Sequence, residues 1–417
     1  MKSDIGQGNR KKTLSLVIVA ATGFYTLIHF LYSGVYYPLS YQEIGGDYFR
    51  HLDPVIQFLK KGYIEGEIWY GPLHYLMALP ILYFFPGNFG VIFYTVDTFC
   101  IFGSIYYTYK TLSDNHKLTE LFIIGVIWLN SSPLYYALGM RSVELYEILC
   151  LSIAFYLFNK GNEVQGSIWL ALAAGFKYLP AIFVIYLIIN KKWRPLGVFV
   201  LVLFCIYGIS GIVFGNSYGF GSLLDLSKRS SAHIWWPNQS IGGILERVLI
   251  DYDFVKYGYY NSPVHPFYKY INLVENLIRL LLLISLFWIL YRKNHLQTPF
   301  RRNLEFSMLL CYMLFLSPIS WEHYGIFTLF AYSFLAVLIY RRFDRLKTSI
   351  SAVSLGFSYL LAHYFFPKTL LRWLPTLKPG LDNTIAPQFY CTAALGWFLL
   401  LAILYYLHLS VLSNKKS

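Results

Sequence analysis

An all-α, polytopic membrane protein is the fold class this sequence predicts, and three observations predict it. Hydrophobic residues make up 57% of the 417 and charged residues only 13%, where soluble domains carry about 25% charge. Apolar runs of about 20 residues, long enough to cross a bilayer as helices, recur from end to end. The basic residues behind the net charge of +13 sit in short loops between those runs. That is the positive-inside pattern, and it excludes a nucleic-acid surface. The pattern gives about 12 spans with both termini inside, in one integral-membrane domain over residues 1–417. Cytoplasmic tails fall at 1–12 and 411–417, a first outer loop at 33–88 and a large outer loop at 215–267.

Lys2, Arg10, Lys11 and Lys12 precede the first apolar run, at roughly 13–32, and hold the N-terminus inside. That run is long enough to span and lacks a small-residue cleavage site, so a cleaved signal peptide is not expected. The outer loop that follows is acidic, with Glu43, Asp47, Asp53, Glu65 and Glu67. Within it Asp53-Pro54 reads as a helix start, Asp as N-cap and Pro in the first turn. An interfacial amphipathic helix through Leu59 then stops at Gly62. Residues 72–85 are short for a span and read as an interfacial or re-entrant helix, with a full span at roughly 89–109. The alternative makes 72–85 a crossing and places Lys110 and Lys117 outside.

Spans at roughly 119–138 and 143–159 flank the polar link Gly139-Met140-Arg141-Ser142-Val143-Glu144. Pro180 breaks the run 166–190 into two short helices near Lys177, because proline cannot complete the helical ladder. The 196–214 span leads into the large outer loop, which is rich in Gly, Ser, Asn and Tyr. Spans near 268–291, 304–318, 325–340, 349–366 and 388–410 complete the chain. Between the second and third of these lies Ser317-Pro318-Ile319-Ser320-Trp321-Glu322-His323-Tyr324. The five cysteines fall in apolar runs without metal-ligand spacing and read as buried free thiols.

On this topology Asp47, Arg141, Glu144, Lys177, Asn238, Gln239, Arg247, Glu322 and His323 all lie at outer helix ends or in outer loops. Cations there oppose the positive-inside bias. Ionisable groups at membrane depth mark functional sites by default. Blander readings compete. Arg141 and Glu144 stand one turn apart and could simply pair. Lys177 could snorkel to headgroups. Asn238 and Gln239 could only order their loop. Asn238-Gln239-Ser240 and Asn130-Ser131-Ser132 match glycosylation sequons, and Trp235 and Trp236 suit an interfacial belt.

Four stretches, in order, carry a family resemblance: Gly46-Asp47-Tyr48; Ala173-Ala174-Gly175-Phe176-Lys177-Tyr178-Leu179-Pro180 with Lys191-Lys192-Trp193-Arg194; Asn238-Gln239-Ser240-Ile241-Gly242 with Arg247; and Ser317 to Tyr324. The chain resembles the GT-C glycosyltransferases, specifically family 87, which use polyprenyl-phosphate mannose. The family's usual Gly-Gln-x-Asn link is here Gly139-Met140-Arg141-Ser142.

The resemblance implies GT-C architecture and an inverting transfer of a hexose, mannose first, from a polyprenyl-phosphate donor in the outer leaflet. The acceptor would be a lipid-linked or envelope glycan. Asp47 would be the general base, and His323 would act with it at the catalytic centre. Lys177, Arg141, Arg247, Glu144, Asn238, Gln239, Trp321, Glu322 and Tyr324 would bind the donor phosphate and substrate. No cofactor and no divalent metal are expected. The partners are the donor, the glycan or glycolipid acceptor and the bilayer, with no nucleic acid. A bacterial plasma membrane is favoured by the resemblance; an endoplasmic reticulum membrane is the eukaryotic counterpart. The rival readings are a transporter or flippase of a lipid-linked glycan, and a polymerase or ligase using a diphosphate carrier. The broken stretch at Lys177 has no evident mate, as a transporter's paired broken helices would require.

Overall fold

Helices supply the regular structure among the described residues, apart from one isolated bridge between Asn238 and Trp321. The structure is a computed structural model. It describes residues 17, 19–36, 46–64, 70–113, 117–222, 238–249, 268–291, 298–341, 347–363 and 391–413; the side chains of 36, 46–51, 247, 248, 268, 322, 347–350 and 411–413 are excepted. Asp47, Arg247 and Glu322 are therefore placed by backbone alone. Residues 1–12, 414–417 and most of 215–267, including His233, Trp235 and Trp236, lie outside the described residues.

The order is α1 (Val19–Val35), α2 (Gly46–Lys61), α3 (Pro72–Phe84), α4 (Phe89–Leu112), α5 (Leu118–Leu129), α6 (Ser132–Met140), α7 (Glu144–Asn159) and α8 (Glu163–Phe176). A 3-10 turn (Leu179–Ile182) leads to α9 (Phe183–Ile189), followed by α10 (Trp193–Phe214), α11 (Ile241–Leu249), α12 (Tyr268–Tyr291) and α13 (Pro299–Leu316). A further 3-10 segment (Glu322–Thr328) runs into α14 (Leu329–Arg341), and α15 (Lys347–His363) and α16 (Thr392–Ser413) are the last described helices.

Five of these units are long and apolar enough to cross a membrane: α4, α10, α12, His323–Arg341 and α16. The pair α5 and α6 makes a sixth if counted as one bent crossing. The sequence estimate of about 12 also counts segments that are shorter, such as α7, or that carry several charges, such as α13 with Arg301, Arg302 and Glu305. On α10 the apolar residues Val200, Leu201, Phe204, Ile209 and Ile212 are exposed, as a lipid-facing helix requires. Cys205 is exposed on the same helix, so it is not the buried thiol expected; Cys100, Cys150 and Cys311 are buried.

The interior is held by aromatic packing. Phe155 of α7 stacks on Phe306 of α13 at 4.4 Å and meets Phe183 of α9 and Phe330 of α14 edge-on or tilted. Such pairs are worth about 0.5–1.5 kcal/mol each beyond the area they bury. Packing pins α7 between α8 and α4. At the far end of α7, Asn159 donates to Asn303, Arg341 of α14 pairs with Glu120 of α5, and Lys192 pairs with Glu163 at 2.6 Å. The near end of α7, at Glu144, is thereby the opposite end of the bundle.

Three breaks differ from or sharpen the sequence reading. The stretch 119–138 is not one straight span: it bends by 60° between Leu129 and Ser132. There Asn130 turns its amide to Thr26 and to the Val126 carbonyl, and Pro133 starts α6. Asn130 and Asn238 are both buried, which rules out the two sequons as glycan acceptors in this fold. Asp53 is not an N-cap: α2 begins at Gly46 and passes through Pro54, leaving Asp53 exposed in mid-helix and Asp47 in the first turn. Gly62, at φ 79°, does end the helix, its N–H closing on the Phe58 carbonyl. Finally, α8 stops where Lys177 becomes fully extended (φ −158°, ψ 141°), three residues ahead of Pro180; the Phe176 carbonyl, which Pro180 has no N–H to pair with, accepts from the Gly71 N–H instead.

Candidate active site

The break at Lys177 aims a long cationic side chain across the start of α7. Lys177 Nζ lies 2.5 Å from Glu144 Oε1 and also donates to the Tyr324 hydroxyl. It sits 4.3 Å from the centre of the Tyr324 ring and 5.2 Å from that of Tyr70. Both Glu144 and Lys177 are buried. Lys177 therefore does not snorkel to headgroups, and Glu144 does not take Arg141 as its partner. Burying such a pair is costly unless the geometry and remaining hydrogen bonds are good. Here Ser142 Oγ donates to Glu144 Oε2, and His323 Nε2 stands 3.6 Å from Glu144 Oε1. One carboxylate oxygen thus gathers a lysine and a histidine from distant parts of the chain.

Close backbone approach makes this possible. The Gly71 N–H donates to the Phe176 carbonyl at 2.7 Å. A Cβ on Gly71 would stand 2.2 Å from the Gly175 carbonyl oxygen, so only glycine lets the Tyr70 loop close over the end of α8. His323 is fixed by aromatic contacts, stacked on Tyr136 at 5.4 Å and edge-on to Tyr324 at 4.9 Å. Tyr136 is 41% exposed, so the cluster reaches the surface of the protein on that side.

The segment carrying His323 is tied down by Asn238. Its side-chain carbonyl accepts from the Ser240 and Ser320 N–H groups at 3.1 and 3.0 Å. The Gln239 N–H donates to the Ser320 carbonyl, and Gln239 Oε1 accepts from the Ala394 N–H at 3.3 Å. In the described contacts Asn238 and Gln239 order a loop; they position Trp321 and His323.

Arg141 goes elsewhere. It holds the left-handed conformation (φ 54°) at the end of α6, where the Ser142 and Arg141 N–H groups close on the Ala137 and Leu138 carbonyls. Glycine or asparagine usually occupies this position. The guanidinium lies 4.7 Å from the Tyr94 ring centre and 3.7 Å from Asp97 Oδ2. Asp97 is wholly buried in α4 and accepts from the Tyr146 hydroxyl at 2.6 Å. The two polar groups adjoin, since Tyr146 stacks on Phe176, the neighbour of Lys177.

Sequence reasoning missed Asp97 and Glu147. Each is a single acid inside an apolar run, and that isolation was the available signal. Glu147 lies one turn beyond Glu144 on α7, wholly buried and within electrostatic reach of Glu144 and Lys177. The expected residues that the structure joins are Lys177, Glu144, His323 and Tyr324, with Arg141 beside them and Asn238, Gln239 and Trp321 behind. Asp47 reaches only the first turn of α2. Arg247 is carried on α11 and Glu322 by the 3-10 segment.

A many-helix membrane protein with a buried cation–carboxylate–histidine group at one end of its bundle is the class that fold and site define. The model of glycosyltransferase family 87 matches residues 69–318, more than half of the chain, and the chain belongs to that family. The match contains Asp97, Arg141, Glu144, Lys177, Asn238 and Gln239; Asp47 and His323 fall outside it. Over 164 residues the chain is 27% identical to GPI mannosyltransferase 1 of Candida albicans. That stretch is 37% of this chain and 39% of the relative, so the chain spans about two fifths of that protein's length.

Proposed function

We propose that this glycosyltransferase moves a hexose, mannose in the first place, from a polyprenyl-phosphate donor to a lipid-linked or envelope glycan acceptor at the outer membrane face. The observation that carries the reading is the convergence of Lys177 and His323 on one oxygen of Glu144, at the surface-connected end of the bundle. A phosphate arriving there meets the Lys177 ammonium, hydrogen-bonded to that oxygen, and a ring nitrogen of His323 standing 3.6 Å from it, both largely out of water. Charge-assisted hydrogen bonds of that kind are about twice as strong as neutral ones.

In the transfer the acceptor oxygen attacks the anomeric carbon from the face opposite the phosphate. A new glycosidic C–O bond forms, the bond to the phosphate oxygen breaks, and the configuration inverts. Asp47 takes the acceptor's hydroxyl proton. Lys177 and His323 stabilise the negative charge that builds on the leaving polyprenyl phosphate. Arg247 and Glu322 complete the substrate contacts, and no metal is invoked. The name of the Candida relative supports mannose as the sugar.

The test is transfer by purified protein given polyprenyl-phosphate mannose and a membrane lipid extract. Wild type should release free polyprenyl phosphate, and Asp47→Asn should fold yet lose transfer. Undiminished release by Asp47→Asn would remove Asp47 as the base.

A further inference from the structure

We infer that Asp97 and Arg141 together form a hydroxyl-recognition site for the hexose being transferred, a reading that rests on the donor proposed above. Two buried polar atoms carry it. Asp97 Oδ2 and Arg141 Nη1 are each buried without a hydrogen-bond partner, although they face each other across 3.7 Å. That gap is too long for a hydrogen bond between them. It is well sized for a third atom: one oxygen can lie about 2.8 Å from both at once. The chemistry selects which oxygen. A hydroxyl accepts from the guanidinium and donates to the carboxylate, so it satisfies both sides; a carbonyl or a phosphate oxygen satisfies only the arginine.

The pair is held as a site is held. Asp97 lies about 12 Å along α4 from Phe89, and its other oxygen is occupied by Tyr146. Arg141 is laid over the Tyr94 ring, and the Tyr94 hydroxyl is itself fixed on the Gly34 carbonyl at 2.7 Å. The left-handed backbone at Arg141 is a conformation that costs a non-glycine residue free energy. Glycine would fit it better, so an arginine stands here against local preference.

Placement identifies the ligand as the sugar on the donor. Arg141 is the neighbour of Ser142, which hydrogen-bonds Glu144, the anchor of Lys177 and His323. On this proposal a hexose joined to a phosphate at the Lys177–His323 pair reaches toward Arg141 and Asp97.

The test uses Asp47→Asn as background to prevent turnover. Binding is measured for short-chain polyprenyl phosphate, its mannose conjugate and the 2-, 3-, 4- and 6-deoxy conjugates. The mannose conjugate should bind about ten- to a hundredfold tighter than polyprenyl phosphate, the effect of a hydrogen bond to a charged group. One deoxy conjugate should lose that gain. Added Arg141→Gly, which suits the left-handed backbone, or the double change Asp97→Asn with Arg141→Gly, should bind the parent and that deoxy conjugate alike. The inference is overturned if all deoxy conjugates bind like the parent, or if Arg141→Gly keeps the discrimination. Binding of both lipids without discrimination sinks this inference alone; binding of neither sinks the donor reading with it.

Discussion

Replacing Lys177 by methionine keeps the length and apolar stem of the side chain but removes the cation from a buried pair. Glu144 would then keep only Ser142 and a histidine 3.6 Å away. Removing one partner of a buried ion pair costs about 3–5 kcal/mol, because the other charge is left uncompensated. Glu144→Gln takes from Lys177 its hydrogen-bonded carboxylate, leaving the Tyr324 hydroxyl, two aromatic rings and the more distant Glu147 around it. The double variant, Lys177→Met with Glu144→Gln, strands neither charge. Its loss should fall short of the sum of the single losses by about 0.5–3 kcal/mol, the range for residues in one network. Denaturant unfolding in detergent micelles gives the three stabilities, and release of polyprenyl phosphate gives the three activities. The double variant should regain stability relative to additivity yet remain inactive, since the phosphate ligand is gone. Single losses below about 1 kcal/mol, the size typical of exposed pairs, would refute the buried-pair reasoning. An active double variant would refute the role of Lys177.

Gly71→Ala should destabilise by about 1–3 kcal/mol through overpacking, because the new methyl meets the Gly175 and Phe176 backbone. Shifting Tyr70 off Lys177 should lower transfer as well; unfolding and rate measurements on the same preparation check both. Asn238→Ala strands two buried N–H groups at Ser240 and Ser320. At about 1–3 kcal/mol each, it should loosen the segment carrying His323, seen as faster hydrogen exchange across residues 317–325.

Periodicity and composition exposed the helices, because a bilayer demands long apolar runs whatever their tertiary partners. The Pro180 break was equally legible, since proline acts through its own backbone. The bend at Asn130 was missed although Pro133 lies just beyond it, because Asn130 and Ser131 also turn there to Thr26 and His363, residues distant in sequence. The start of α2 at Gly46 was missed because Asp53-Pro54 carries a strong local start signal that the surrounding helix overrides. In the site, Lys177, Glu144 and His323 stood out as charge at membrane depth. Their mutual partners could not be read, because Arg141, three residues from Glu144, was the nearer cation in sequence. Asp97 escaped because a single acid barely alters the hydropathy of a 24-residue helix, although burial makes it the partner Arg141 takes.

In the proposed transfer Lys177 and His323 receive the donor's phosphate. A cryo-electron microscopy structure with polyprenyl phosphate bound tests it most directly. Phosphate oxygens should lie within about 3 Å of Lys177 Nζ and a ring nitrogen of His323, with the polyprenyl chain leaving past Tyr136. A phosphate bound elsewhere, with Lys177 still closed on Glu144, would contradict it.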